Sequence, residues 1–115
     1  MSRILLAPGR YIQGAGAIAE IGVHAQKFGS KSLLIGGQNA LANCGEAIQK
    51  SLKNESIDCV QEGFQGECCD QEIGRLMDVA KSNLCDMIIA AGGGKVIDTG
   101  KAVAYEMNVP VIIVP

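Results

Sequence analysis

Short apolar runs alternate along the chain with segments in which apolar residues recur every three or four positions. The apolar runs predict strands over residues 3–7, 32–35, 57–61, 87–91 and 109–114. The run at 87–91 is continuously apolar, which is typical of a strand that is buried on both faces of a parallel sheet. The chain is therefore expected to build a sheet that is covered on both sides.

The segments between these runs show the periodicity of helices with one buried face. They predict helices over residues 17–28, 41–52, 70–80 and 96–106, with Asp70 as the N-cap of the third. In the last helix, Val96, Gly100, Val103 and Ala104 share one face. Alternating strands and helices with short connections predict an α/β fold with a doubly wound, Rossmann-like parallel sheet and right-handed crossovers.

Three consecutive glycines, Gly92 to Gly94, join the strand at 87–91 to the last helix. Glycine allows a tight turn and close approach of the backbone to a ligand. The N-terminus of the following helix offers free N–H groups to an anion, and open α/β sheets bind ligands at this edge. Phosphate is the expected ligand, with a turn that binds nothing as the alternative, because glycine-rich turns are common.

The turn does not match the two common phosphate-binding patterns. Ile89 stands where a P-loop requires glycine, and Val96 follows Lys95 where a P-loop requires Ser or Thr. Ile97 occupies the last glycine position of the usual dinucleotide fingerprint. The phosphate hypothesis therefore depends on the position of the turn between strand and helix.

Composition excludes several classes of function. The 115 residues fit one domain, 48% of them are hydrophobic, and the net charge is −2 with a pI of about 5.3. There is no basic patch for nucleic acid or for an anionic membrane surface, and no apolar run of about 20 residues that could span a bilayer. Five irregularly spaced cysteines argue against a disulfide framework, so we expect a cytoplasmic protein with reduced thiols.

The sequence from Gly92 to Lys101 resembles the G-G-G-K/S-x-x-D-x-x-K signature of the iron-containing alcohol dehydrogenase superfamily. Residues 8–14 (PGRYIQG) and 64–68 (FQGEC) are similar to segments of its glycerol dehydrogenases. The resemblance covers nearly all of this chain but only the N-terminal part of a family member, because those enzymes continue into a large helical domain. It implies that residues 1–115 form an incomplete NAD-binding domain, truncated before the helical metal-binding domain.

The resemblance also implies which residues bind the cofactor. In the family the glycine turn holds the pyrophosphate of NAD, and the matching set here is Gly92, Gly93, Gly94, Lys95, Val96 and Asp98. Asp98 lies in the first helical turn, where an acid suits the helix dipole and could cap N–H groups. A pair between Asp98 and Lys101 on one helix face is the alternative.

One position departs from the family pattern. Glycerol dehydrogenases carry an Asp after the strand that matches residues 32–35, and this chain has Gly37 there, followed by Gln38 and Asn39. Such an acid bonds the ribose hydroxyls in dinucleotide-binding folds. Its replacement leaves the choice between NAD and NADP open, although no Arg lies nearby for a 2′-phosphate.

The resemblance implies an NAD-dependent, metal-requiring oxidation of glycerol, or a similar polyol, to dihydroxyacetone in a homo-oligomeric enzyme. The family's divalent metal, zinc in this case, is bound by one Asp and two His of the later domain. This chain has a single His, so we expect no metal ligand and no catalytic residue within it. The alternatives are a glycerol-1-phosphate dehydrogenase, a cyclase of the dehydroquinate synthase type, or a truncated remnant without turnover.

Overall fold

A computed structural model describes residues 3–6, 10–13 and 18–115. The strands are β1 (Arg3–Leu6), β2 (Arg10–Gln13), β3 (Lys31–Gly36), β4 (Asp58–Gly63), β5 (Met87–Ala91) and β6 (Val111–Val114). The helices are α1 (Ile21–Ala25), α2 (Gln38–Ala40), α3 (Glu46–Asn54), α4 (Asp70–Ser82) and α5 (Gly94–Met107). A 3₁₀ turn (Ile18–Glu20) precedes α1, and a π-helical segment (Leu41–Gly45) joins α2 to α3.

The six strands form one sheet in the order β2-β1-β6-β5-β3-β4. The four strands from β6 to β4 are parallel, which confirms the predicted Rossmann-like α/β fold. β1 pairs antiparallel with both β2 and β6, so the sheet is mixed at this side. The sequence did not predict β2, because its four residues contain only two apolar side chains, Tyr11 and Ile12.

Helices cover both faces of the parallel strands. Ile89 of β5 belongs to a buried cluster with Ile48 of α3 on one face. Its neighbour Ile88 belongs to a second cluster with Leu76 of α4 and Val103 of α5 on the other face. All five residues of β5 are buried, because successive side chains of a strand point to opposite faces and both faces are covered.

The first helix is shorter than the predicted range of 17–28, of which residue 17 lies outside the described part. After Ala25 the chain tightens into i→i+3 bonds, since Lys27 N donates to His24 O at 3.3 Å and Phe28 N to Ala25 O at 2.9 Å. Such bonds commonly satisfy the last carbonyls of a helix. The prediction of continuous helix to residue 28 is therefore wrong in its last turn.

The predicted cap of α4 is wrong by one residue. Cys69 is the N-cap, with an extended backbone (φ −147°, ψ 164°), and its carbonyl accepts the N–H of Ile73 at 2.9 Å. Asp70 is the first residue of the helix and makes no capping bond. At that position its negative charge interacts favourably with the positive end of the helix dipole.

The strand order creates a crevice between the ends of β3 and β5. From β3 the chain crosses to its outer neighbour β4, and then returns over β3 to β5 and continues to β6 on the other side. Open α/β sheets bind ligands at such a topological switch point, outside the carboxyl ends of the strands. Among the described residues, no helix is both long and apolar enough to cross a membrane.

Candidate functional site

The four parallel strands end level with one another. Gly36 at the end of β3 pairs with Gly63 of β4 on one side and with Ala91 of β5 on the other, and Ala91 pairs with Val114 of β6. The connections that follow these residues therefore emerge at the same edge of the sheet. This edge contains Gly37 and the glycine turn, which we define as residues 92–94.

Only the first glycine of the turn is required by the backbone. Gly92 has φ +141°, which L side chains rarely adopt, and its N–H donates to Val114 O at 3.0 Å. Gly93 has an ordinary conformation (φ −82°, ψ −172°), and a Cβ at Gly93 or Gly94 would meet no described atom within 4 Å. The space before the turn is therefore open, as close approach of a ligand to the backbone requires.

The glycine turn leads directly into the N-terminus of α5. Gly93 is the N-cap, and no side chain caps this terminus in the described part of the protein. The N–H groups of the first helical turn have no partners inside the helix, and α5 is a helix of 14 residues. Backbone donors and the positive end of the dipole together form the kind of site that binds phosphate.

Lys95 lies in the first turn of α5 and is paired with an acid. Its Nζ is 2.8 Å from Oε1 of Glu67, and the side chains are 63% and 71% exposed, respectively. The backbone carbonyl of Lys95 accepts a hydrogen bond from the buried Thr99 Oγ1 at 2.7 Å. The sequence predicted Lys95 as a cation for phosphate, and the structure shows this cation next to the turn with a carboxylate as its partner.

The two remaining predicted residues, Val96 and Asp98, lie in different environments. The Val96 side chain is buried in the core cluster shared with α4, and its Cγ2 lies next to the turn, 3.4 Å from where a Cβ at Gly92 would stand. Asp98 is exposed and does not cap the helix. Among the described residues, no ion pair joins Asp98 to Lys101 within 4.0 Å. Residues 92–96 are thus contiguous at the crevice, and Asp98 lies further along the exposed side of α5.

An ion pair between the buried Glu72 and the half-buried Arg75 holds the segment that leads to Glu67. Glu72 Oε2 accepts the N–H of Gln65 at 2.8 Å, and Glu72 Oε1 accepts Arg75 Nε at 2.8 Å. Arg75 also donates to Glu62 Oε2 at 2.7 Å and to Gly63 O at 2.8 Å. The hydrogen bond from Arg75 lowers the pKa of Glu72, and the same bond raises the pKa of Arg75.

The sequence did not single out Glu67, Glu72 or Arg75 as functional residues. Glu67 was noted only as part of the segment 64–68 that resembles glycerol dehydrogenases. Its pairing with Lys95 was not foreseen, because the two residues lie 28 positions apart in the sequence. One signal was available: a lysine in the first turn of a helix opposes the dipole and is better placed beside an anion. The position of Glu67 after β4 could then have suggested the partner.

The described residues do not supply a metal site. No three His, Cys, Asp or Glu side chains in residues 18–115 come close enough together to hold an ion. His24 is half-buried, with its Nε2 4.0 Å from Glu20 Oε2. None of the described side chains is therefore assigned a role in metal chemistry.

Comparison with known proteins identifies relatives over nearly the whole chain. Residues 8–115 match the family of iron-containing alcohol dehydrogenases. Glycerol dehydrogenase of Escherichia coli is 38% identical over 115 residues, which are all of this chain and 31% of that enzyme. Glycolaldehyde reductase of Halobacterium salinarum is 32% identical over all of this chain and 32% of that protein.

Solved structures show the same fold. The crystal structure of glycerol dehydrogenase from Schizosaccharomyces pombe superposes with a TM-score of 0.80 at 29% identity, over 87% of this chain and 26% of that one. The chain thus spans about a third of the length of the curated relatives it matches. The family match over residues 8–115 shows that the chain belongs to the iron-containing alcohol dehydrogenase family.

Proposed function

We propose that this chain is the nucleotide-binding part of an NAD-dependent glycerol dehydrogenase, and that the glycine turn binds the pyrophosphate of NAD. The observation that carries the proposal is the open space before Gly93 and Gly94, at the N-terminus of α5. Neither glycine is required by backbone conformation or by packing. A ligand that must approach the backbone closely explains why both positions are glycine.

Each residue of the site has a distinct contribution. Backbone N–H groups from Gly94 to Val96 would donate to phosphate oxygens, and Lys95 would add a positive charge. Val96 anchors the first turn of α5 in the core. Asp98 would act through the dipole of the helix rather than by contact with the pyrophosphate.

The chemistry that NAD supplies is acceptance of a hydride, here from the secondary carbon of glycerol to give dihydroxyacetone. The described residues bind and orient the cofactor, and the groups that deprotonate the alcohol lie outside them. Names of relatives support the choice of substrate, since the E. coli and S. pombe proteins are glycerol dehydrogenases. The proposal includes a zinc ion bound by residues outside this chain, a homo-oligomer and a cytoplasmic location.

Titration calorimetry of the 115-residue chain with NAD tests the proposal, with Gly93→Val as the critical variant. A Cβ at Gly93 meets no described atom within 4 Å and the backbone there is extended, so we expect the fold to remain, while the branched side chain blocks the approach to the turn and abolishes NAD binding. Gly74→Val is the matched control, because a Cβ at Gly74 in α4 also meets nothing within 4 Å.

Circular dichroism should show native-like spectra for both variants. Binding of NAD by the parent chain and by Gly74→Val, but not by Gly93→Val, is the expected result. Unchanged affinity in folded Gly93→Val would place the pyrophosphate elsewhere and refute the proposal.

A further inference from the structure

We propose that Glu67 sets the affinity of this site for the nucleotide by occupying Lys95 in the free protein. This inference rests on the proposed function, since the competitor is the phosphate expected at the glycine turn. The contact that carries it is the ion pair of 2.8 Å between Glu67 Oε1 and Lys95 Nζ. Binding of the pyrophosphate would require Lys95 to exchange this carboxylate for a phosphate oxygen.

The position of Lys95 explains why it takes an anion in the absence of ligand. Lys95 is the second residue of α5, where its ammonium group faces the positive end of the helix dipole. A nearby carboxylate offsets this repulsion. In the described structure, the side chain of Lys95 makes its ion pair with Glu67 alone.

The backbone that leads to Glu67 is held by hydrogen bonds within its own segment and to α4. The N–H of Glu67 donates to Gln65 O at 3.2 Å, and the N–H of Gln65 donates to the buried Glu72. Arg75 in turn holds Glu72 through two hydrogen bonds, of 2.8 and 2.9 Å. The backbone next to Glu67 is therefore held in place, and its carboxylate competes with the phosphate for Lys95.

The exposure of the ion pair between Glu67 and Lys95 limits how much Glu67 can change the affinity for NAD. Both side chains of the pair are more than half exposed, and exposed ion pairs are weak because water and salt screen them. The pair is thus able to open at a small cost. We expect Glu67→Gln to bind NAD about two- to fivefold more tightly than the parent chain.

The experiment is calorimetric titration with NAD of the parent chain, Glu67→Gln, Lys95→Met and the double variant. Glu106→Gln is the matched control, because it makes the same change of charge at the exposed far end of α5. The gain in Glu67→Gln should shrink with added salt and disappear when Lys95 is Met. Glu106→Gln should bind as the parent does.

The outcomes separate this inference from the proposed function. Unchanged or weaker binding in Glu67→Gln, with Gly93→Val still inactive in binding, would overturn the competition and leave the nucleotide site intact. A gain that persists in the Lys95→Met background would also overturn it, since the effect would not act through the pair. Absence of NAD binding by the folded parent chain would overturn both.

Discussion

Glu72 is a buried carboxylate whose hydrogen bonds connect a loop and a helix. Its side chain is 7% exposed and receives donors from Arg75 and from the N–H of Gln65. Arg75 is itself shared with Glu62 of β4. Loss of the charge at Glu72 would leave Arg75 with one carboxylate and would leave the Gln65 N–H with a weaker acceptor.

We expect Glu72→Gln to lower the free energy of unfolding by about 1–3 kcal/mol at pH 7. Folding lowers the pKa of Glu72 below its ordinary value of 4.5, so its charge contributes fully above that pH. The contribution is lost as the pH falls through the folded-state pKa. The difference in stability between the parent and Glu72→Gln should therefore shrink in acid, measured by urea denaturation at pH 7 and below pH 4.5.

Glu106→Gln serves as the control for this measurement. Glu106 is exposed near the end of α5, and a change there should alter stability by less than about 0.5 kcal/mol at either pH. A difference between the parent and Glu72→Gln that stays constant with pH would show that shape, rather than charge, accounts for the loss.

The helix α5 packs closely against β5 at Gly100. A Cβ at Gly100 would lie 2.6 Å from the Cβ of Ala90, closer than side chains tolerate. Gly100 therefore lets the helix lie directly on the strand. This close packing fixes the position of the N-terminus of α5 relative to the glycine turn.

Gly100→Ala should lower the free energy of unfolding by about 1–2 kcal/mol, because the added methyl group overpacks the interface and outweighs the better helix propensity of alanine. Gly74→Ala is the opposite case, since its Cβ would lie in open space in α4. It should stabilise the protein by roughly 0.4–1 kcal/mol. Thermal and urea denaturation of both variants test this, and stabilisation by Gly100→Ala would contradict the packing account.

The same elements show how far the sequence determines the site. The continuous apolar run of β5, the three glycines and the buried face of α5 were all predicted, because each is written in consecutive residues. The pair of Glu67 with Lys95 was not, because it forms only when α4 and the loop before it pack beside α5. The contacts of Arg75 with Glu62 and Gly63 were not predicted either, because they form only when α4 lies against the end of β4. The first helix ends earlier than predicted because the chain changes to i→i+3 hydrogen bonds after Ala25, and the spacing of apolar residues does not indicate such a change.

At the scale of the whole molecule, the parallel strand order brings Gly37 to the glycine turn. β3 and β5 are neighbours although α2, α3, β4 and α4 separate them in sequence. Gly37 follows β3 and is the N-cap of α2, with an ordinary backbone (φ −71°, ψ 164°). The nearest atom to a Cβ at Gly37 would be Val96 Cγ2 at 4.0 Å, so the position has room for a side chain facing the crevice.

Gly37→Asp should strengthen NAD binding by about 1–3 kcal/mol, roughly 5- to 150-fold, because the carboxylate can accept hydrogen bonds from the ribose hydroxyls. The gain should be absent for NADP, whose 2′-phosphate the acid repels. Gly37→Ala is the control and should leave the affinity for both cofactors unchanged. An equal gain in Gly37→Asp for NAD and NADP, measured by calorimetry, would contradict the assigned ribose contact.

The place of β1 in the sheet has a consequence for the order of folding. β1 joins the parallel strands only through β6, and β3, β4 and β5 all come between them in sequence. During synthesis on the ribosome, β1 and β2 can form their hairpin early, but their partner emerges after every other described strand. Closing so long a loop is slow, so the hairpin should dock late, after the parallel strands have assembled.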